Sequence, residues 1–192
     1  MGDLDGWLAA VVATPGLTSL RDPADARRVL LEDSLRGAEL VGRESGPVVD
    51  VGSGGGAPGI PLAHALPEHE FVLLEAQERK CAFLRVHAPP NARVVRGRAE
   101  EQEVDWAGCA VAKALAQPPV AAEWCLPLVR PGGAVVLWVG ESVDRARVAA
   151  VAEQLAASME DSPPGFLVLR KEQTTPAGFP RRPGIAKKRP LA

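Results

Sequence analysis

The chain has 192 residues, enough to bury one sizeable core and too few for two ordinary domains. Apolar residues make up 46% and charged residues 24%, the balance of a water-soluble globular protein, and no apolar run approaches the roughly 20 residues of a membrane-spanning helix. The net charge of −2 conceals an asymmetry: from Arg170 to Ala192 seven Lys or Arg face one acid, Glu172, so that end carries +6 and residues 1–169 carry −8, and a polyanion is met by one side only.

The first residues, Met1-Gly2-Asp3-Leu4-Asp5, are acidic, whereas a secretory leader opens with positive charge. Three cysteines, Cys81, Cys109 and Cys125, are an odd number at wide spacing. They argue against a disulfide framework and for a reducing, cytoplasmic setting, and read as packing residues. No CxxC is present, and His64, His69 and His87 form no ligand pattern, so neither a metal site nor a membrane partner is expected.

Residues 1–46 read as a short helical N-terminal extension, with Asp22 as a helix cap and Pro23 at the first helical position. From residue 47 the pattern changes. Pro47-Val48-Val49-Asp50-Val51 is a short, β-branched run ending at a glycine cluster, the signature of a buried parallel strand. Pro58 to Leu66 reads as a helix stopped by Pro67, residues 71–75 as a strand, 77–88 as a helix and 92–96 as a strand. Residues 109–113 read as a fourth strand, 120–129 as a helix, 131–133 as a turn and 134–139 as a fifth strand. Residues 141–157 read as a long helix and 166–171 as a last strand, with no room for a further strand between them, so a reduced sheet is expected. Alternating strands and helices make residues 47–171 an α/β, Rossmann-like domain: a mostly parallel sheet with helices on both faces. Residues 172–192 form a basic tail. Ligands of such sheets bind beyond the carboxyl ends of the strands, which is where the glycines fall. Trp124 and Trp138 lie on elements read as core.

Two readings of the loop compete. Gly54-x-Gly56-x-x-Gly59 fits a dinucleotide fingerprint, with a pyrophosphate on a helix N-terminus. Asp50-x-Gly52-x-Gly54-x-Gly56 fits an acid followed by alternating glycines, as methyltransferases carry. The acid at the strand end repels a pyrophosphate and suits the cationic amino group and sulfonium of S-adenosylmethionine. Glu75 ends the next strand 25 residues later, placed to accept both ribose hydroxyls of an adenosine ligand of either kind.

The segment Asp50-Val-Gly-Ser-Gly-Gly-Gly-Ala-Pro-Gly-Ile-Pro-Leu-Ala63 resembles the signature of the 16S ribosomal RNA guanine-N7 methyltransferases, the glucose-inhibited division protein B family. Similar stretches are Leu17-Thr18, Asp33-Ser34-Leu35, Arg79-Lys80-Cys-Ala-Phe-Leu84, Gly97-Arg98-Ala99-Glu100-Glu101, Glu123-Trp-Cys-Leu-Pro-Leu128 and the tail from Phe179 to Leu191. The resemblance implies a class I methyltransferase fold, S-adenosylmethionine as cofactor, and 16S rRNA or the 30S particle as partner. By position it implies that Asp50, Gly52, Ser53, Gly54 and Gly56 serve the methionine end of the cofactor, that Glu75 and Ala76 lie at the ribose, and that Ala99 and Glu100 flank the adenine. Lys113 and Arg98 would lie near cofactor or RNA as the candidate catalytic groups, and Arg181, Arg182, Lys187, Lys188 and Arg189 would grip RNA. Three positions depart from the family pattern: Leu30 stands for a usual His, Lys113 for Arg and Val139 for Lys. Arg to Lys keeps the charge but loses the planar fork.

Methyl transfer to N7 is an in-line displacement by a lone pair that carries no proton, so no general base is needed and alignment does most of the work. A non-catalytic RNA-binding homologue and a NAD(P)-dependent oxidoreductase are the alternative readings.

Overall fold

The computed structural model describes residues 4–192; Met1 to Asp3, at the start of the segment read as helical, lie outside the described residues. The N-terminal part holds α1 (Leu4–Ala13), α2 (Pro23–Ala26), which runs through a π-helical stretch Arg27–Glu32 into α3 (Asp33–Leu35), and then α4 (Ala38–Gly42). Asp22 is the cap of α2: its carboxylate accepts from the N–H groups of Ala24 and Asp25, and Pro23 follows at the first position, as the dipeptide predicts.

The remaining elements are β1 (Val48–Val51), α5 (Gly59–Ala65), β2 (Phe71–Glu75), α6 (Glu78–His87), β3 (Ala92–Arg96), β4 (Ala107–Lys113), α7 (Pro118–Cys125), β5 (Val129–Trp138), α8 (Arg145–Gln154), β6 (Ala157–Glu160), β7 (Phe166–Lys171) and α9 (Ile185–Lys188). One seven-stranded sheet runs in the order β3-β2-β1-β4-β5-β7-β6. β1 pairs in parallel with β2 and β4, and the parallel ladder continues from β2 to β3 and from β4 to β5. β7 runs antiparallel between β5 and β6. The strand order reverses between β1 and β4, which makes their carboxyl ends the switch point of the sheet.

Two sequence expectations are corrected. The sheet is not reduced: β6 forms from Ala157–Glu160, residues read as the end of α8 and a loop. Asp144 caps α8, its carboxylate accepting from Arg147 N–H, and Ala156 in a left-handed conformation (φ 55°) turns the chain directly from helix into strand. An edge strand of four residues has too little alternation to be seen in sequence. Second, β5 begins at Val129, inside the stretch read as helix. Pro131-Gly132-Gly133 is not a free turn; the pairing jumps from Ala107↔Val129 to Cys109↔Ala134, so the glycines form an irregularity within the strand.

β1 and β2 are buried along their whole length, which explains why they read as continuous apolar runs rather than alternating ones. Val49, Val51, Val72 and Leu74 pack with α7 and α8 on one face. Val48, Phe71 and Val111 pack with α4 and α5 on the other, where Leu73 meets Trp7 and Val11 of α1 and Leu84 of α6. Cys81, Cys109 and Cys125 are free and buried, and burial pushes the thiols of the latter two strongly up. Among the described residues no helix is long and apolar enough to cross a membrane.

Candidate functional site

Two cavities adjoin at the switch point. The first, about 390 Å³, is lined by Val51, Gly52, Glu75, Ala76, Gly97, Arg98, Ala99 and Glu100, and by Leu115, Trp124 and Lys187. The second, about 400 Å³, is lined by Gly52 to Gly55 and by Trp7, Leu17, Thr18, Leu20, Leu30 and Lys113. Gly52, Lys80 and Ala114 line both, so the ends of β1 and β4 form the sill between two lobes of one crevice. Each lobe lies within the range of small-molecule sites.

The glycine loop is held from below and from the side. Gly52 and Ser53 donate their N–H groups to Leu74 O at 2.8 and 3.1 Å, and the Ser53 hydroxyl donates to Asp50 O at 3.0 Å. Trp7 Nε1 donates to Gly55 O at 2.8 Å, so the N-terminal helix latches the loop across 48 residues. Gly52 adopts φ +73°, and a Cβ there would overlap Leu115 Cδ1 inside the first cavity. Only glycine gives both that conformation and that clearance. Across the sill, Ala114 also sits at positive φ (52°), a strained state for a residue with a Cβ.

Glu75 is nearly fully buried at the first cavity. Its Oε2 accepts from Gly54 N–H at 3.0 Å and its Oε1 from Gln77 N–H at 2.8 Å. Each carboxylate oxygen has a second lone pair, so a rigidly held pair of acceptors faces the cavity beside Ala76. This geometry fits a vicinal diol. Trp124 contributes a buried indole N–H without a partner among the described residues.

Asp50 behaves differently from the sequence expectation. It lies under the loop, about 1% exposed, and lines neither cavity. Its Oδ2 accepts from Gly59 N–H at 3.1 Å, Oδ1 has no partner among the described residues, and burial pushes its pKa up to about 7. Gly56 is likewise absent from the lining; its φ of +104° shapes the loop against Ile60 and Trp7. Ser53 presents backbone to the crevice, since its hydroxyl is turned inward. The geometry gives the dinucleotide fingerprint little support: Gly56, the glycine through which backbone would approach a pyrophosphate, lines neither cavity. Gly59 donates its N–H to the Asp50 carboxylate, and a Cβ there would strike Asp50 and Leu73, so that glycine serves packing.

Lys113 ends β4 at the second cavity, but its ammonium is committed. It pairs with Asp33 Oδ2 at 2.7 Å, donates to Val29 O and lies 3.5 Å from Ser34 Oγ. Desolvation lowers its pKa, and Asp33 opposes that shift. Lys113 is thus a fixed charge tying the N-terminal helices to the sheet, rather than a mobile donor. Arg98 is exposed at the rim of the first cavity. Trp138 is tied to the same N-terminal segment, its Nε1 donating to Asp33 O at 2.9 Å.

The tail residues separate into two sets. Arg181, expected on RNA, instead makes a two-point pair with the buried Glu123, both contacts at 2.6 Å. Arg170 pairs with Glu44 and Glu160, and the buried Lys171 with Asp105. Arg182, Lys188 and Arg189 are exposed. Lys187 stands 5.2 Å from the Trp124 ring centroid and lines the first cavity. Sequence reasoning missed the walls contributed by Trp7, Leu20, Lys80, Leu115 and Trp124; Trp124 lies on an element read as core.

A family model described as rRNA small subunit methyltransferase G matches residues 6–165. The chain belongs to this family. A ribosomal RNA small subunit methyltransferase G from Synechococcus sp. (strain JA-3-3Ab) is 36% identical over 205 residues, covering 93% of this chain and 79% of that protein. One from Rubrobacter xylanophilus is 36% identical over 209 residues, covering 95% and 77%. Among solved structures, the S-adenosylmethionine-dependent methyltransferase SibL in its apo form aligns with a TM-score of 0.59 at 13% identity, covering 87% of this chain and 62% of that one. The T. thermophilus 16S rRNA N2 G1207 methyltransferase, in complex with AdoMet and guanosine, aligns with a TM-score of 0.53 at 15% identity, covering 73% of this chain and 40% of that one. At these identities the two structures establish the fold, a class I methyltransferase sheet. In this chain the segment that resembles the signature of the small subunit methyltransferase G family places Gly52 on the sill where the two cavities meet.

Proposed function

We propose that this chain transfers the methyl group of S-adenosylmethionine to N7 of a guanine in 16S rRNA, acting in the cytoplasm on the rRNA or the 30S particle. The observation that carries the reading is the buried Glu75 carboxylate, held by Gly54 and Gln77 N–H groups at one lobe of a crevice whose other lobe is floored by the glycine loop.

The cofactor supplies an electrophilic methyl group when bound. Glu75 then accepts the ribose hydroxyls beside Ala76, and Ala99 and Glu100 border the base. Gly52 and Gly54 bring backbone close to the methionine end, with the Ser53 backbone between them. Asp50 acts from beneath, fixing the start of α5 by accepting from Gly59 N–H. Among the described residues no histidine or cysteine lines either lobe. The ionisable groups there are either tied within the protein, as Glu75 and Lys113 are, or cationic. That set suits an acceptor whose lone pair needs no base and whose N7 and O6 edge favours cationic or N–H donors. Lys113 supplies a fixed positive field at the second lobe, Arg98 and Lys187 stand at the rim, and Arg182, Lys188 and Arg189 meet phosphates, which makes RNA binding salt-dependent.

The test is methyl transfer from labelled cofactor to 30S particles and to naked 16S rRNA, with the modified base mapped. Label in one guanine as N7-methylguanine supports the reading. A chain that binds S-adenosylhomocysteine and RNA yet transfers no label is the non-catalytic homologue. Stabilisation by NAD in preference to S-adenosylhomocysteine ends the assignment.

A further inference from the structure

The cofactor cavity is not built by the α/β body alone. Lys187, from the last segment of the chain, lines it together with Glu75. Gly184 donates its N–H to Glu100 Oε1 at 3.2 Å, so the tail also holds a residue bordering the base. Ala186 is buried against the core, and Phe179 and Leu191 pack on it. A two-point ion pair also holds this strap. Arg181 meets Glu123 through Nε and Nη2, both at 2.6 Å, and Glu123 is about 3% exposed on α7. Its neighbour Trp124 carries the ring over which Lys187 lies.

Resting on the cofactor reading above, we propose that Glu123 and Arg181 are positioning residues for the cofactor: their pair docks residues 179–189 so that Glu100 and Lys187 close the adenosine end of the cavity, and cofactor binding and tail docking are coupled. A planar, two-point pair suits this task because it fixes orientation as well as distance. Glu123 ties the arginine's charge into the fold, so Arg181 is withdrawn from the RNA-contacting set and Arg182, Lys188 and Arg189 remain in it. Coupling is reciprocal: whatever order the docked tail gives the cavity, a ligand in the cavity returns to the tail.

The test uses the full chain. Hydrogen exchange of residues 179–189 is measured with and without S-adenosylhomocysteine, and exchange slower with the ligand is expected. Arg181→Met raises the Kd for S-adenosylhomocysteine about tenfold, within the usual range of coupling between sites. In turnover its effect falls on KM for S-adenosylmethionine more than on kcat, and Arg181→Lys recovers part of the loss. The salt slope of RNA binding stays at the wild-type value, whereas a phosphate contact would lower it by about one. Because Arg181→Met strands a buried carboxylate, Glu123→Gln combined with Arg181→Met serves as a second variant and is expected to show the same weakened binding. Wild-type affinity in both variants, ligand-independent exchange of the tail, or a lowered salt slope with unchanged cofactor affinity overturns the proposal and leaves the cofactor reading standing. A wild-type chain that binds no S-adenosylhomocysteine overturns both.

Discussion

Glu75→Gln is the sharpest probe of the site, because it keeps volume and removes only charge and one acceptor. In the native chain each carboxylate oxygen accepts one backbone N–H, from Gly54 at 3.0 Å and from Gln77 at 2.8 Å. A glutamine has one acceptor oxygen and one NH₂ group, so whichever way it turns, a donor faces a donor at Gly54 or at Gln77. One charge-assisted hydrogen bond is lost in a buried position, at about 1.5–3 kcal/mol. For a chain of this size that corresponds to a Tm lower by about 3–12 °C. The same substitution removes one of the two acceptors offered to a ribose, which weakens S-adenosylhomocysteine binding by about 10- to 150-fold. Thermal denaturation and calorimetric titration measure the two effects separately. A Glu75→Gln chain with wild-type Tm and wild-type affinity would show that the carboxylate neither braces the glycine loop nor meets the ligand.

Gly52→Ala places a Cβ at a left-handed backbone position and against Leu115; a stability loss of about 1–2 kcal/mol from the backbone alone is expected in urea denaturation, together with weaker cofactor binding. Lys113→Met removes the tie from β4 to Asp33 and Val29; the expected cost is about 1.5–3 kcal/mol of stability, with S-adenosylhomocysteine affinity affected less than by Glu75→Gln because the Lys113 ammonium is committed to Asp33 and Val29 rather than offered to the ligand, and a calorimetric Kd raised as far as that of Glu75→Gln would contradict this. Asp50 gives a pH prediction. Folded, it keeps its proton up to about pH 7, whereas its ordinary pKa is 3.8. Between those values the unfolded chain binds fewer protons, so the Asp50 contribution to stability of the ligand-free chain falls as pH rises from about 4 to 7 and levels off above. Asp50→Asn, whose amide oxygen can still accept from Gly59 N–H, is expected to flatten that slope; denaturation midpoints of the two chains that run parallel across this window would refute the assignment.

How much was legible in the sequence depends on the range of the interaction. β2, β3 and β7 have the bounds their sequence runs give; β2 and β7, largely buried, write that burial into consecutive residues, whereas β3, a partly exposed edge strand, is marked by its adjacent valines, Val94 and Val95. The cap at Asp22-Pro23 is equally local. β6 was illegible because its turn comes from Ala156 in a conformation that alanine rarely adopts, and the N-terminal part of β5 because its irregularity depends on pairing with Ala107. At the site, Gly52, Glu75, Ala99 and Glu100 were readable from spacing and resemblance, and the structure brings them to one cavity. The buried placement of Asp50 and Gly56 was not, since the sequence does not say which side of a loop faces solvent.

The sequence by itself determined the alternation of strands and helices, the glycine bend after β1, the carboxylate at the end of β2 and the family to which all of these belong. Those features rest on neighbouring residues: β-branched runs, the freedom of glycine at positive φ, an acid 25 residues from another. Tertiary structure alone decided which charges are free. Arg181 and Glu123 lie 58 positions apart, and Lys113 and Val29 84. A cation looks the same in sequence whether it meets a phosphate or a buried partner, and only the folded chain brings that partner within reach.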